Sequence, residues 1–267
     1  VRPVHRPPRT SARQVPHCQW RVYIDPAAEP LQEPAVTTRM RGTELATVQL
    51  SRPESAEPGG LDYYDVPLLE RMDLERFSHS ALVTICKELA VQIHLLVNSL
   101  GMVMEQRFGR EAADNLAEFQ LIGSARVVSE RLVRQFSGDV GDIRALLGVL
   151  QLHPAFQPLE YFGLHIEVLD SRCARFSLEG GAVAQEKVHW GWYPLLLAGR
   201  LEGLQSLLLG IDPTASVERE SGGGLSFIVR LLDAPFRAED PLPVQVAKGT
   251  VLHTIRLQDH IDLLQLD

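Results

Sequence analysis

Histidine, tryptophan and cysteine are the scarce reactive residues of this chain, with nine, three and three copies among 267 residues. His94 and Asn98 stand four apart inside an apolar run, so a helix stacks them on one side. Buried together, an imidazole and an amide can hydrogen-bond a ligand or polarise a carbonyl. The plainer reading is a structural histidine satisfied by the fold. His189-Trp190-Gly191-Trp192-Tyr193 is the densest aromatic cluster in a chain with 6% aromatics. Rings with N–H and O–H tips suit a mostly apolar pocket that fixes one or two polar groups of a ligand. They suit a core anchor at a helix entry equally well. Phe156 and Tyr161 follow His153-Pro154, a packed turn, and complete the candidate pocket set.

Two other chemistries are open to these residues. His94 or His189 as general base, with Cys173 as nucleophile, describes a hydrolase or reductase of a small heterocycle. Cys173 falls in an alternating strand, where a buried thiol is usually inert. Glu88, Glu105, Glu118 and Glu130 with a histidine suggest a di-iron bundle, but that site needs Glu-x-x-His on paired helices and neither helix has it. P-loop, G-x-G-x-x-G, H-E-x-x-H, G-x-S-x-G and C-x-x-C patterns are absent. No metal and no cofactor is expected.

The bulk numbers bound the rest. Net charge is −8 and the pI about 5.6, which argues against a dedicated nucleic-acid binder. Residues 1–24 carry five arginines and no acid, a basic stretch that reads as solvated. Cys18, Cys86 and Cys173 lie far apart, which fits a reducing cytoplasm better than a disulfide framework. The least polar stretch, Leu89 to Met104, contains Gln92, His94 and Asn98; it reads as too short and too polar to span a bilayer. The N-terminus has no apolar signal region, and no membrane partner is expected.

The elements that must position these residues follow from periodicity. Ser78 can cap a helix from about His79 to Arg107, with Leu82, Ile85, Leu89, Ile93, Leu96, Leu100 and Val103 on one stripe and His94 and Asn98 away from it. That helix is apolar nearly all round, which predicts burial. A second helix spans about Glu111–Phe136, and a third, capped by Asp139 or Asp142, ends before Pro154. Leu164–Leu169 and Cys173–Leu178 read as a hairpin. Tyr193–Leu209 reads as one helix with Gly199 and Gly203 on one face, ended by Gly210. Strands follow at about Ala215–Glu218, Leu225–Leu232, Val244–Ala247 and Val251–Leu257. The class is α+β, N-terminal helices packed on an antiparallel sheet.

An internal repeat organises the chain. The nine residues from Gly42 to Leu50 match those from Gly249 to Leu257 at five positions, an offset of 207 residues. The same offset pairs Trp20 with Phe227, Val22 with Val229 and Pro34 with Pro241. Residues 1–57 therefore read as the closing strands of a preceding, truncated copy plus a linker, and 58–267 as one complete unit. The chain opens on Val rather than Met, which fits a fragment or an unusual start codon. Strands replacing an edge of the same sheet, and completion by a partner chain, are the alternatives.

Leu195 to Gly210, with its Ala198-Gly199-Arg200-Leu201-Glu202-Gly203 core, and the following Val-Glu and Phe-x-Val strands resemble the C-terminal half of the 4-vinyl-reductase (V4R) domain family. Pro16 to Val22 resembles the same ending of an earlier copy. The resemblance implies a V4R-like fold similar to a vesicle-tethering subunit, and either a sensor of aromatic molecules or an accessory role in tetrapyrrole synthesis. In the family's sensors a Glu and cysteines bind zinc. Glu218 or Glu220 can stand for that Glu, but Ser221 and Leu225 occupy the cysteine region, so no zinc is implied. A Trp and a His line the sensors' pocket; Trp190, Trp192 and His189 are the matching positions. The helical half also resembles bacterial proteins related to an aminothiazoline-carboxylate hydrolase, without an alignable catalytic residue. The reading that joins these strands is a cytoplasmic accessory or sensor domain for a small, mostly apolar, aromatic or heterocyclic molecule. Its pocket would lie between the long helices and the sheet, lined by His189, Trp190, Trp192, Tyr161 and Phe156, with His94 adding polarity. A homodimerisation module, built on glycine-spaced helices and an open sheet edge, is the structural alternative.

Overall fold

In the computed structural model, residues 2–5, 19–21, 26–27, 29, 32–53, 59–62, 73–135, 141–186, 190–222, 224–236, 244–248 and 251–255 are described. The chain begins with β1 (Arg2–His5) and β2 (Gln19–Arg21), paired antiparallel, then two short helices, α1 (Ala35–Arg41) and α2 (Glu44–Thr47). Ser78 then caps α3 (His79–Phe108), its hydroxyl accepting from the Ala81 amide, as the serine and the periodicity require. α4 (Arg110–Gln120) and α5 (Arg126–Gln135) are joined by a π-helical turn at Leu121–Ala125. α6 (Ile143–Leu152) is capped by Asp142, and α7 (Leu159–Phe162) follows. The hairpin β3 (Leu164–Val168) and β4 (Cys173–Leu178) leads to α8 (Tyr193–Leu197), α9 (Glu202–Leu209), β5 (Ala215–Arg219) and β6 (Ser226–Leu231). β7 (Val244–Lys248) and β8 (Val251–Ile255) form a separate antiparallel pair.

The central sheet has the order β3-β4-β6-β5, antiparallel throughout. Its inner face is set by alternation: Ala174, Phe176 and Leu178 on β4, and Phe227, Val229 and Leu231 on β6, are buried. Register places Phe176 opposite Phe227, and their rings stack at 4.9 Å. Ile143, Leu146, Leu147 and Leu150 of α6 and Leu204, Leu207 and Leu208 of α9 belong to the same core. The α+β class follows directly. Gln205 ties α9 to the sheet: its side-chain amide donates to the Ala215 carbonyl (2.8 Å) and accepts from the Val217 amide (3.0 Å), so one side chain serves as a neighbour for β5.

Four expectations need correction. The leucine stripe of α3 faces outward: Leu89, Ile93, Leu96 and Leu100 are exposed, while Ala90, His94, Asn98, Gly101 and Met102 are buried. His94 goes inward because two carbonyls meet it there, Gly101 because Trp190 packs too close for a side chain, and Met102 is the one large apolar residue among them. Second, Tyr193–Leu209 is two helices. Gly199 takes φ +79, a left-handed conformation that interrupts the helix, so it shares no face with Gly203. Third, the helix after Gly109 contains the π turn, around which α9 packs closely: a Cβ on Gly203 would lie 2.5 Å from Leu121 Cδ2. Fourth, the two copies of the repeat differ in shape. Residues 44–47 are helical, while their partners 251–254 are strand. Thr43 explains the first, since its hydroxyl caps that turn by accepting from the Ala46 amide.

The segment 35–53 packs onto the rest rather than standing apart. Leu45 is fully buried in the main core. Its amide donates to Glu186, which also accepts from the Tyr161 phenol. Lys87 of α3 donates to the Ser51 hydroxyl and carbonyl (both 3.0 Å) and to Glu160 (2.5 Å); Ser51 donates to the same carboxylate. Burial alone would raise the Glu160 carboxyl; the Lys87 and Ser51 hydrogen bonds overcome it and hold the group at about 2.

Candidate ligand site

The aromatic residues divide into two groups. Trp192 stacks on Phe162 (centroids 4.9 Å, planes 19° apart) and meets Phe156 edge-on at 5.2 Å; Phe156 meets Phe176, and Tyr161 meets Phe162. Phe156, Tyr161, Phe162 and Trp192 are all buried, so this group is a filled core joining α7 to the sheet. Trp190, two residues earlier, belongs elsewhere. Its indole N–H donates to Glu105 of α3 (2.8 Å), and the Arg39 guanidinium lies 4.9 Å from its ring centroid. Gly101 lets it approach α3: a Cβ there would sit 3.0 Å from Trp190 Cβ. His189 lies outside the described residues.

His94 reaches the far side of the Trp192 group. Its ring meets Phe162 at 4.8 Å and Trp192 at 6.4 Å. Nε2 lies 2.9 Å from the Pro154 carbonyl and 3.0 Å from the Gln157 carbonyl. A carbonyl only accepts, so Nε2 carries the hydrogen. Burial lowers the ring to about 4, against the opposing pull of those two carbonyls, so it is neutral at pH 7. A neutral ring with its hydrogen on Nε2 has Nδ1 as a bare acceptor. His153 is fully engaged: Nε2 donates to Ala125 (3.1 Å) and Nδ1 accepts from the Ala155 amide (3.1 Å). Burial first, then the nearby His94, brings it to about 4 as well, despite the Ala125 carbonyl.

Between α3, the π turn and the 153–155 turn lies an apolar cavity of about 190 Å³. Ile93, His94 and Val97 form one wall, Ala117, Leu121, Ala125 and Val128 the other, and Trp192 and His153 contribute from below. Gln120, half-buried, and Ser124, exposed, bring polar groups to it. The π turn makes this space. Leu121–Ala125 winds wider than an α-helix, and its carbonyls are met from other elements: His153 donates to Ala125, and Ser206 donates to Ile122 (2.8 Å). A second cavity, about 20 Å³, lies between Trp190, Gly191 and Asn98 and is only large enough for a water.

Of the six residues singled out from sequence, His94 and Trp192 line the larger cavity. Tyr161 and Trp190 line only the smaller one, Phe156 lines neither, and His189 is not described. The pocket is bounded by helices and a turn, not by the sheet. Sequence reasoning missed Ala117, Leu121, Ala125 and Val128; the one signal for them was Gly123-Ser124 in mid-helix, a weak helical pair where the ladder loosens. Cys173 is buried on β4, with Arg230 3.4 Å from its sulfur, and lines neither cavity. Among the described residues no group of three His, Cys, Asp or Glu is placed to hold a metal ion, and Glu220 is engaged by Arg175 and Ser226. α3, at 30 residues, is long and apolar enough to cross a membrane by length and composition, which the shorter Leu89–Met104 run did not suggest; core helices meet the same test.

No family model, no curated protein and no solved structure matches this chain.

Proposed function

We propose that this protein binds a small, mostly apolar molecule with a single aromatic or heterocyclic ring, in the cavity between α3 and the π turn, as an accessory or sensor unit. The carrying observation is the cavity itself: about 190 Å³, apolar-walled, and bordered by His94, a neutral imidazole whose hydrogen is on Nε2. An apolar cavity of ~150 Å³ is enough to take benzene. The volume therefore suits one ring. Nδ1 of His94 would accept from a phenol hydroxyl or ring N–H; Gln120 and Ser124 would serve a second polar group. The resemblance of Leu195–Gly210 to the V4R ending is a further, sequence-borne reason, since members of that family sense aromatics.

The hydrolase or reductase reading has less support. His94 is committed through Nε2 and has a conjugate-acid range too low for an efficient base at pH 7, and Cys173 is remote from the cavity. Thermal unfolding with phenol tests the binding reading. At 100 times Kd, wild type should gain about 2.7 kcal/mol. Ala117→Leu, which fills the cavity, should abolish the gain. Trp190→Ala, outside it, should keep the gain. Equal stabilisation of wild type and Ala117→Leu would place the ligand elsewhere.

A further inference from the structure

The exposed stripe of α3 has an order that ordinary surface helices lack. Leu82, Cys86, Leu89, Ile93, Leu96, Leu100 and Val103 recur at alternating spacings of four and three. That is the a/d pattern of a coiled-coil seam held over three heptads, and it ends at Arg107. Five of these seven side chains are exposed and the other two half-buried, Leu96 at 72% and Leu89 at 52%. The opposite side of the helix, with Ala90, His94, Asn98 and Gly101, is the one buried in the fold. A period of 3.5 is a helix-to-helix signal. A strict a/d stripe is narrower than the apolar face that a core-facing helix of a globular protein presents.

We infer that this seam pairs with the α3 seam of a second copy of the chain, antiparallel, about a two-fold axis between residues 94 and 95. The register is set by the sequence. In that arrangement Ile93 meets Leu96 of the second copy, Leu89 meets Leu100, and Cys86 meets Val103, giving apolar layers from residue 86 to residue 103. Each Arg107 falls beyond the last apolar layer, opposite Leu82. A parallel pairing would instead set Arg107 against Arg107 and align the two helix dipoles. No ionised side chain stands in the seam or at the flanking Ile85, Gln92, Ser99 and Gln106, so two copies meet without like-charge repulsion. Ile93 also borders the ligand cavity, so the second copy would cover one side of its mouth.

Light scattering coupled to gel filtration reads the assembly: the 267-residue chain should elute as a dimer, and Leu96→Glu with Ile93→Glu as a folded monomer by circular dichroism. Disulfide trapping reads the geometry. Residues 86 and 103 of one helix are ~25 Å apart, too far to bond within a chain. In a Cys18→Ser background, Val103→Cys should give a disulfide-linked dimer through Cys86 under mild oxidation, while Cys18→Ser alone should not. A monomeric wild type overturns the proposal, whether the stripe is then covered by another segment of the chain or binds vesicles of mixed phosphatidylcholine and phosphatidylglycerol. Rapid Cys86–Cys86 linkage in Cys18→Ser alone overturns the antiparallel register.

Discussion

The two long faces of α3 show opposite relations between polarity and burial. The inward face holds His94 and Asn98, 6% and 8% exposed, and the outward face holds Leu96 at 72%. The inward residues are there because the fold gives them something to do: His94 bridges two carbonyls of the 154–157 turn, and Gly101 makes room for Trp190. The outward residues have no such partner among the described residues. Hydropathy decides a helix's inner face only where nothing specific competes; here directed hydrogen bonds and close approach do. An apolar stripe left outside then asks for a partner of its own.

The strongest way to break this contrast is on the inward side. Trp192→Ala, removing the ring against which His94 and Phe162 pack, should lower unfolding free energy by about 3–5 kcal/mol in urea titration. His94→Leu keeps the volume but removes the Nε2–H donor; the Pro154 carbonyl keeps its hydrogen bond from the Gln157 amide while the Gln157 carbonyl loses the imidazole, at about 1–3 kcal/mol. A loss within 0.5 kcal/mol would show that the imidazole is not structural.

Acidification tests the same face. Both His94 and His153 lie near 4 in the fold, below the ordinary 6.5, so the unfolded chain binds more protons between those values. Stability should be full above pH 6.5 and fall steadily towards pH 4, by up to a few kcal/mol for the two together. The double variant His94→Gln, His153→Gln should flatten that slope; an unchanged slope would assign it to other groups. Glu160, held at about 2, adds a loss that begins only below about pH 4.5.

The smallest effect belongs to the outward side. Leu96→Ser at nanomolar protein should leave unfolding within about 0.5 kcal/mol of wild type. A large loss there would mean the stripe is covered within one chain.

Much of the fold is legible in the sequence where local rules act alone. Ser78 and Asp142 cap as their side chains dictate, and the hairpin at 164–178 follows its alternation. Where a long-range partner decides, the sequence misleads. The α3 stripe reads as core because every apolar stripe does, and the π turn reads as plain helix because its widening depends on His153 and Ser206 reaching its carbonyls. The repeat at 42–50 and 249–257 shows the same limit: five identities in nine do not outweigh the Thr43 cap on one side and strand pairing on the other. The candidate site was half visible. Trp192 and His94 stand out by type, while Ala117, Ala125 and Val128 are ordinary residues that matter only because the turn opens between them.

The cavity is the claim on which the functional account depends, and nuclear Overhauser contacts from bound phenol locate it directly. With methyl-labelled protein, the ring protons should show contacts to Val97, Ala117 and Val128, and none to Ile228 on the sheet. Saturable binding with contacts confined to other methyls, or no saturable binding at millimolar phenol, would contradict it.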